Sequence, residues 1–127
     1  RLRDPATAPA LVALLGGDTV PATDLVDAIS AFGAPALDAL APAFQSPVAA
    51  ARAFAAEIAG RIGGAEAAAR CATALAALVD DPDPDVRVAA VLALGDLGAD
   101  GQPGLRKALA DPVLGPVAER LLVLHVT

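Results

Sequence analysis

The run "DPDPD" from Asp81 to Asp85 is the densest group of chemistry-bearing side chains in the sequence. Alternating carboxylates are what a hard cation such as calcium requires. A calcium loop of the EF-hand kind also needs Gly at its sixth position and Glu at its twelfth, and Val86 and Leu92 stand there instead. These carboxylates are therefore assigned to helix capping and solubility rather than to a metal. Cys71 shares a helical face with Leu75, Leu78 and Val79, the setting of a buried inert thiol, and no histidine stands near it in sequence to activate it. His125 is the only histidine, and one imidazole without Cys or His companions is a poor ligand set, so an end-cap or surface contact is expected. Gly60, Gly63, Gly64, Gly95 and Gly98 follow no strand and form no GxGxxG, which argues for close packing and helix stops over a phosphate cradle. No catalytic residue, no metal site and no cofactor is read from the sequence.

The elements that must position these side chains follow from composition and punctuation. With 127 residues the chain has room for one domain burying roughly two-thirds of its unfolded surface. It is 56% hydrophobic with three Phe and no Trp, Tyr or Met, so the core must be built from Ala, Leu, Val and Ile, small side chains that let helices approach closely. Ala dominates and alternating β-branched runs are missing, which favours helices over strands. Turn and cap residues divide the chain into eight predicted helices near 6–15, 22–32, 35–45, 47–62, 65–79, 84–97, 103–110 and 113–126.

Self-similarity organises these helices. Shifted by 35 residues, "RAFAAEIAGRIG" from Arg52 lies on "RVAAVLALGDLG" from Arg87, matching Arg52 to Arg87, Ala55 to Ala90, Gly60 to Gly95 and Gly63 to Gly98. A shift of 30 places "LVDAISAFG", ending at Gly33, on the helix ending at Gly63. Repeats of this length made of paired helices signify a solenoid, in which each pair buries its apolar face on the next. Within the best unit, Asp83 caps a helix, Pro84 takes its first position, Asp85 sits at the positive end of the dipole and Gly98 makes the left-handed stop. Val86, Val88, Val91, Leu92, Leu94 and Leu97 make that helix apolar nearly all round, so it is expected to be covered on several sides.

The stretch "DPDPDVRVAAVLALGDLG" resembles the short bacterial HEAT-like repeats first associated with phycobilin lyases, whose pattern is an Asp-Pro turn, a Val-Arg pair, small residues at the tight contact and a closing Leu-Gly. The signature residues are Val86, Arg87, Ala90 and Gly98, with Arg52 and Gly63 one unit earlier. The arginine is missing from Pro112 onward. The resemblance implies an all-α, right-handed α-solenoid of about four repeats and about eight helices. Its units run approximately 1–17 (partial), 18–46, 47–81, 82–111 and 112–127 (partial). It also implies that Arg52 and Arg87 pair with a turn Asp of their own or a neighbouring repeat. Di-iron hydroxylases of the family carry His-Glu pairs, which this sequence lacks. Its bilin lyases are longer, and its DNA glycosylases have a basic concave surface.

The formal net charge of −6 opposes general affinity for phosphate backbones. The longest uncharged stretches, at 5–17 and 39–51, are too short for a membrane span of about 20 residues. A single cysteine does not depend on an oxidising compartment, and a cytoplasmic setting is expected over a secreted one. The chain opens on Arg1 and has no Met, which points to a segment of a longer protein whose other parts can pack on its ends. Two surfaces are candidates for a protein or peptide partner. Second helices usually line the concave side, here Asp38, Glu66, Arg70, Thr73, Arg106 and Lys107, and the inter-repeat turns place Asp18, Asp80, Asp81, Asp83, Asp85 and Asp111 along one acidic edge. A non-catalytic interaction or spacer module is the reading; the alternative is an accessory part of an enzyme, such as a lyase-like chaperone for a cofactor.

Overall fold

The computed structural model describes residues 7–17 and 20–126, with side chains through Leu124. Eight α-helices are present among them: α1 Ala8–Val12, α2 Ala22–Ala31, α3 Leu37–Phe44, α4 Ala49–Ile62, α5 Gly64–Leu78, α6 Pro84–Asp96, α7 Gln102–Ala108 and α8 Gly115–Val126. Short 3-10 turns at Ala34–Ala36 and Gly98–Gly101 lead into α3 and α7, and the described residues contain no strand. All eight helices coincide with those expected from cap and turn residues, to within a few positions.

Caps explain the starts and stops. The Asp83 side chain accepts hydrogen bonds from the Asp85 and Val86 backbone N–H groups, at 2.8 and 3.3 Å, and Pro84 opens α6. Gly33, Gly63 and Gly98, at equivalent places in three units, have φ of 71°, 58° and 70°, a region that side chains with a Cβ rarely adopt. Each marks the hairpin between the first and second helix of a unit. The opposite turns share a second device, a side-chain oxygen that accepts from the N–H two residues on. Ser46 accepts from Val48 at 3.1 Å, Asp81 from Asp83 at 2.9 Å and Asp111 from Val113 at 2.7 Å.

The helices stack in two layers. Helices α2, α4, α6 and α8 follow one another in one layer, and α1, α3, α5 and α7 in the other. Between them lie fully buried Ile29, Leu40, Ile58, Leu75, Leu94 and Leu105, the aliphatic core that the composition requires. The closest seam joins α4 to α6, where Ala55, Ala56, Ala59, Ala90 and Ala93 are buried. A Cβ placed on Gly60 would stand 3.1 Å from the Ala93 Cα, so the two backbones meet almost directly. Gly101 has a different reason to be glycine: a Cβ there would fall on the Leu94 carbonyl oxygen.

Helix α6 is covered on several sides, as its apolar composition requires, but Val88 is 39% and Leu92 50% exposed on its outward face. Neighbours occupy only the flanks and inner side of a helix in a two-layer stack, which leaves one stripe facing out. The far end of the stack is also apolar, with Val113, Val117, Val123 and Leu124 exposed around α8.

Candidate functional site

The turns and the arginines six residues after them form a ladder along one edge. Arg52 Nε and Nη2 donate to the two carboxylate oxygens of Asp81, at 2.8 and 3.0 Å, and its Nη1 donates to the Ser46 carbonyl at 2.7 Å. The arginine thus ties its own turn to that of the next repeat. Arg87 repeats the arrangement, donating to the Asp81 carbonyl at 2.7 Å and lying 3.8 Å from the Asp111 carboxylate. Val117 takes the third position, so the ladder stops there. Asp81 is the hub, at 8% exposure. Burial disfavours its charge, but the hydrogen bonds from Arg52 and from the Asp83 N–H, together with the Arg52 charge, outweigh that cost and hold its carboxyl below the usual range.

The expected acidic edge therefore is not a free row of carboxylates. Asp81 is consumed by Arg52, Asp83 caps α6, and Asp80 pairs with Lys107 at 2.7 Å. Asp111 bonds the Val113 and Leu114 N–H groups. Those bonds from the Leu114 and Val113 backbone keep its carboxyl low. Asp85 alone of the described members is exposed without such a bond, and Asp18 lies outside the described residues. The physical reason is that turn carboxylates sit beside unsatisfied backbone N–H groups and the repeat arginines, which take up their charge.

The residues expected on the concave side do share one layer, on α3, α5 and α7. All are exposed, and three of the six pair with one another: Arg70 bridges Asp38 at 2.6 Å and Glu66 at 3.2 Å, while Arg106 donates to Gln102 at 3.3 Å. Lys107 donates to the Ala76 carbonyl at 3.0 Å besides holding Asp80. Thr73 stands exposed between them. The face is close to charge-balanced. A groove of about 620 Å³ lies at its α1 end, walled by Pro9, Val12, Ala39, Pro42 and Pro47 with Asp38 at the rim.

The opposite layer carries a feature that sequence reasoning missed. A groove of about 400 Å³ between α4 and α6 has Val88, Leu92, Ala89 and Ala93 as its apolar lining and Glu57, Asp85 and Asp96 around it. None of these three carboxylates makes an ion pair among the described residues, whereas Arg61 on the same wall is held by Asp27 of α2 at 2.8 Å. Burial pushes the Asp96 carboxyl above its usual range. The signal was present in the spacing 85, 88, 92, 96, which is one helical stripe, but an almost wholly apolar helix does not announce which of its sides the neighbours leave open.

Cys71 is 1% exposed on α5, and burial raises its thiol further, so it is a packing residue. No group of three metal-ligating side chains converges among the described residues, and the side chain of His125 lies outside them. No single helix there is long and apolar enough to cross a membrane. A comparison with curated proteins finds no match. The family model described as HEAT repeats matches residues 37–122, from α3 into α8, which spans the ladder, the hairpins at Gly63 and Gly98 and the α4–α6 seam. With stacked helix pairs, repeated turns and that match in agreement, the chain belongs to the HEAT-repeat family.

Proposed function

We propose that this chain is a non-catalytic protein-interaction or spacer module whose partners are proteins or peptides. The family supports the class, because stacked helical repeats present extended surfaces on which other proteins assemble. The observation that carries the reading is the division of labour among the charges. Arg52, Asp81, Arg87 and Asp111 are spent on joining repeats, while Glu57, Asp85, Val88 and Leu92 on one helix layer and Thr73 on the other face solvent without such a role. Photo-crosslinkers placed at Thr73, at Leu92 and at Pro82 test it. Protein adducts that recur at one helix face, and are missing at the Pro82 edge, are expected. Tight, salt-sensitive binding of duplex DNA, or adducts spread evenly over all three positions, would sink the reading.

A further inference from the structure

We propose that the groove between α4 and α6 receives an amphipathic helix of a partner protein, one that carries two aliphatic side chains four residues apart with Lys or Arg flanking them at both ends. This rests on the reading of the chain as a protein-binding module and gives the chemistry of the partner. Asp85, Val88, Leu92 and Asp96 follow one another at steps of three, four and four residues, so they form a single stripe along α6 with apolar residues in the middle and a carboxylate at each end. The two carboxylates are about 16 Å apart along the axis at 1.5 Å per residue. A second helix laid along this stripe meets it with the same spacing, aliphatic against Val88 and Leu92 and cation against Asp85 and Asp96.

Three features single out this surface. Leu92, at 50% exposure, and Val88 are apolar side chains left in water, whereas Val86, Ala90, Val91, Ala93 and Leu94 of the same helix are buried. Glu57 on the opposite wall adds a third carboxylate without an ion pair among the described residues, while the neighbouring Arg61 is already engaged by Asp27. Asp96 lies against the glycine of α4, its Oδ2 2.9 Å from where a Gly60 Cβ would be, and is partly stripped of water before any partner arrives. Pairing it with a cation therefore forfeits less hydration than pairing a fully solvated carboxylate. The α3–α5–α7 face offers no comparable excess, because Arg70 already satisfies Asp38 and Glu66.

The test is fluorescence anisotropy of the full chain with a labelled helical peptide of pattern Lys-x-x-Leu-x-x-x-Leu-x-x-x-Lys in an Ala/Gln host. Saturable binding that weakens with salt is expected, with Leu92→Gln weakening it about tenfold and Asp96→Asn about threefold. Asp100→Asn, in the turn before α7, should leave it unchanged. Both side chains are exposed, so the variants should keep the parent's helical spectrum and melt close to it, Asp96→Asn at or slightly above the parent. Equal binding of a Glu-flanked peptide, or indifference to both groove variants, would overturn the proposal. So would self-association of the free chain that Leu92→Gln abolishes, since the groove would then belong to a second copy. Selection of displayed helical peptides on the chain separates the two levels. Peptides lost with Arg70→Glu but not with Leu92→Gln would overturn the groove and leave the interaction-module reading standing, whereas no selected peptide at all would overturn both.

Discussion

Arg52 with Asp81 and Arg87 with Asp111 occupy the same two positions in successive repeats, and the two pairs are built differently. The first is bidentate, at 2.8 and 3.0 Å, with side chains 15% and 6% exposed. The second is a single approach at 3.8 Å with both side chains 27% exposed. Asp81 lies under the tight seam of α4 and α6, while Asp111 precedes Val113, which is 70% exposed at the apolar end of the stack. Each pair joins one repeat to the next, but only the first is dry enough for loss of a partner to strand a charge. A repeat signature thus fixes where a bond can form, and the cover supplied by the neighbouring repeat fixes how much it matters.

Breaking the dry pair should have the largest effect. Asp81→Asn leaves the partly buried Arg52 without its bidentate carboxylate, and urea unfolding should show a loss of about 1 to 3 kcal/mol. A loss indistinguishable from that of an exposed Asp→Asn change would mean the pair is wetter than its 6% exposure implies. Packing beside it should respond nearly as strongly. Ala90 is fully buried in the α4–α6 seam, and Ala90→Leu is expected to cost about 1 to 3 kcal/mol, whereas Ala99→Leu, in the exposed turn after α6, should be nearly silent. Equal stabilities would undo the assignment of Ala90 to the close contact.

Acid sharpens the contrast through the sign of the shifts. Asp81 is held below the ordinary carboxylate range, so it contributes stability above about pH 4, near the unfolded value, and loses it as the pH falls through the folded one. Asp96 is raised by burial, so its penalty is present at neutral pH and is relieved as the pH falls. Stability measured from pH 7 to pH 2 should therefore fall less steeply in Asp81→Asn than in the parent. Asp96→Asn should be slightly more stable than the parent at pH 7 and equal to it in acid. Parallel acid limbs for parent and Asp81→Asn would contradict the hub role.

The wet pair should give the smallest effects. Asp111→Asn keeps an acceptor for the Val113 and Leu114 N–H groups, so its loss should be clearly smaller than that of Asp81→Asn and should shrink with added salt. Val117→Arg restores the missing arginine at a position 39% exposed, and it should change stability by no more than about 0.5 kcal/mol. A gain well beyond that would show that the third turn can be tied as firmly as the second.

Much of the architecture was legible before any coordinates, because it is written locally. Asp83 and Pro84 start α6, Gly33, Gly63 and Gly98 end their helices, and the shift of Arg52 onto Arg87 gives the repeat. The pairing of those arginines with turn carboxylates was expected from the family pattern and is present. The surfaces were less legible. Asp81 and Asp85 look alike in "DPDPD", yet one is buried and bidentate and the other faces solvent.

The sequence by itself determined the helices, their order and the period at which they recur, since caps, glycine stops and small-residue spacing act within a few residues of themselves. Only the tertiary structure decided which carboxylates are neutralised and which stay free, and which stripe of an almost wholly apolar helix remains in water. Those outcomes depend on what the adjacent repeat places against each side chain, as Arg52 does for Asp81 at 2.8 Å, while Leu92 is left 50% exposed.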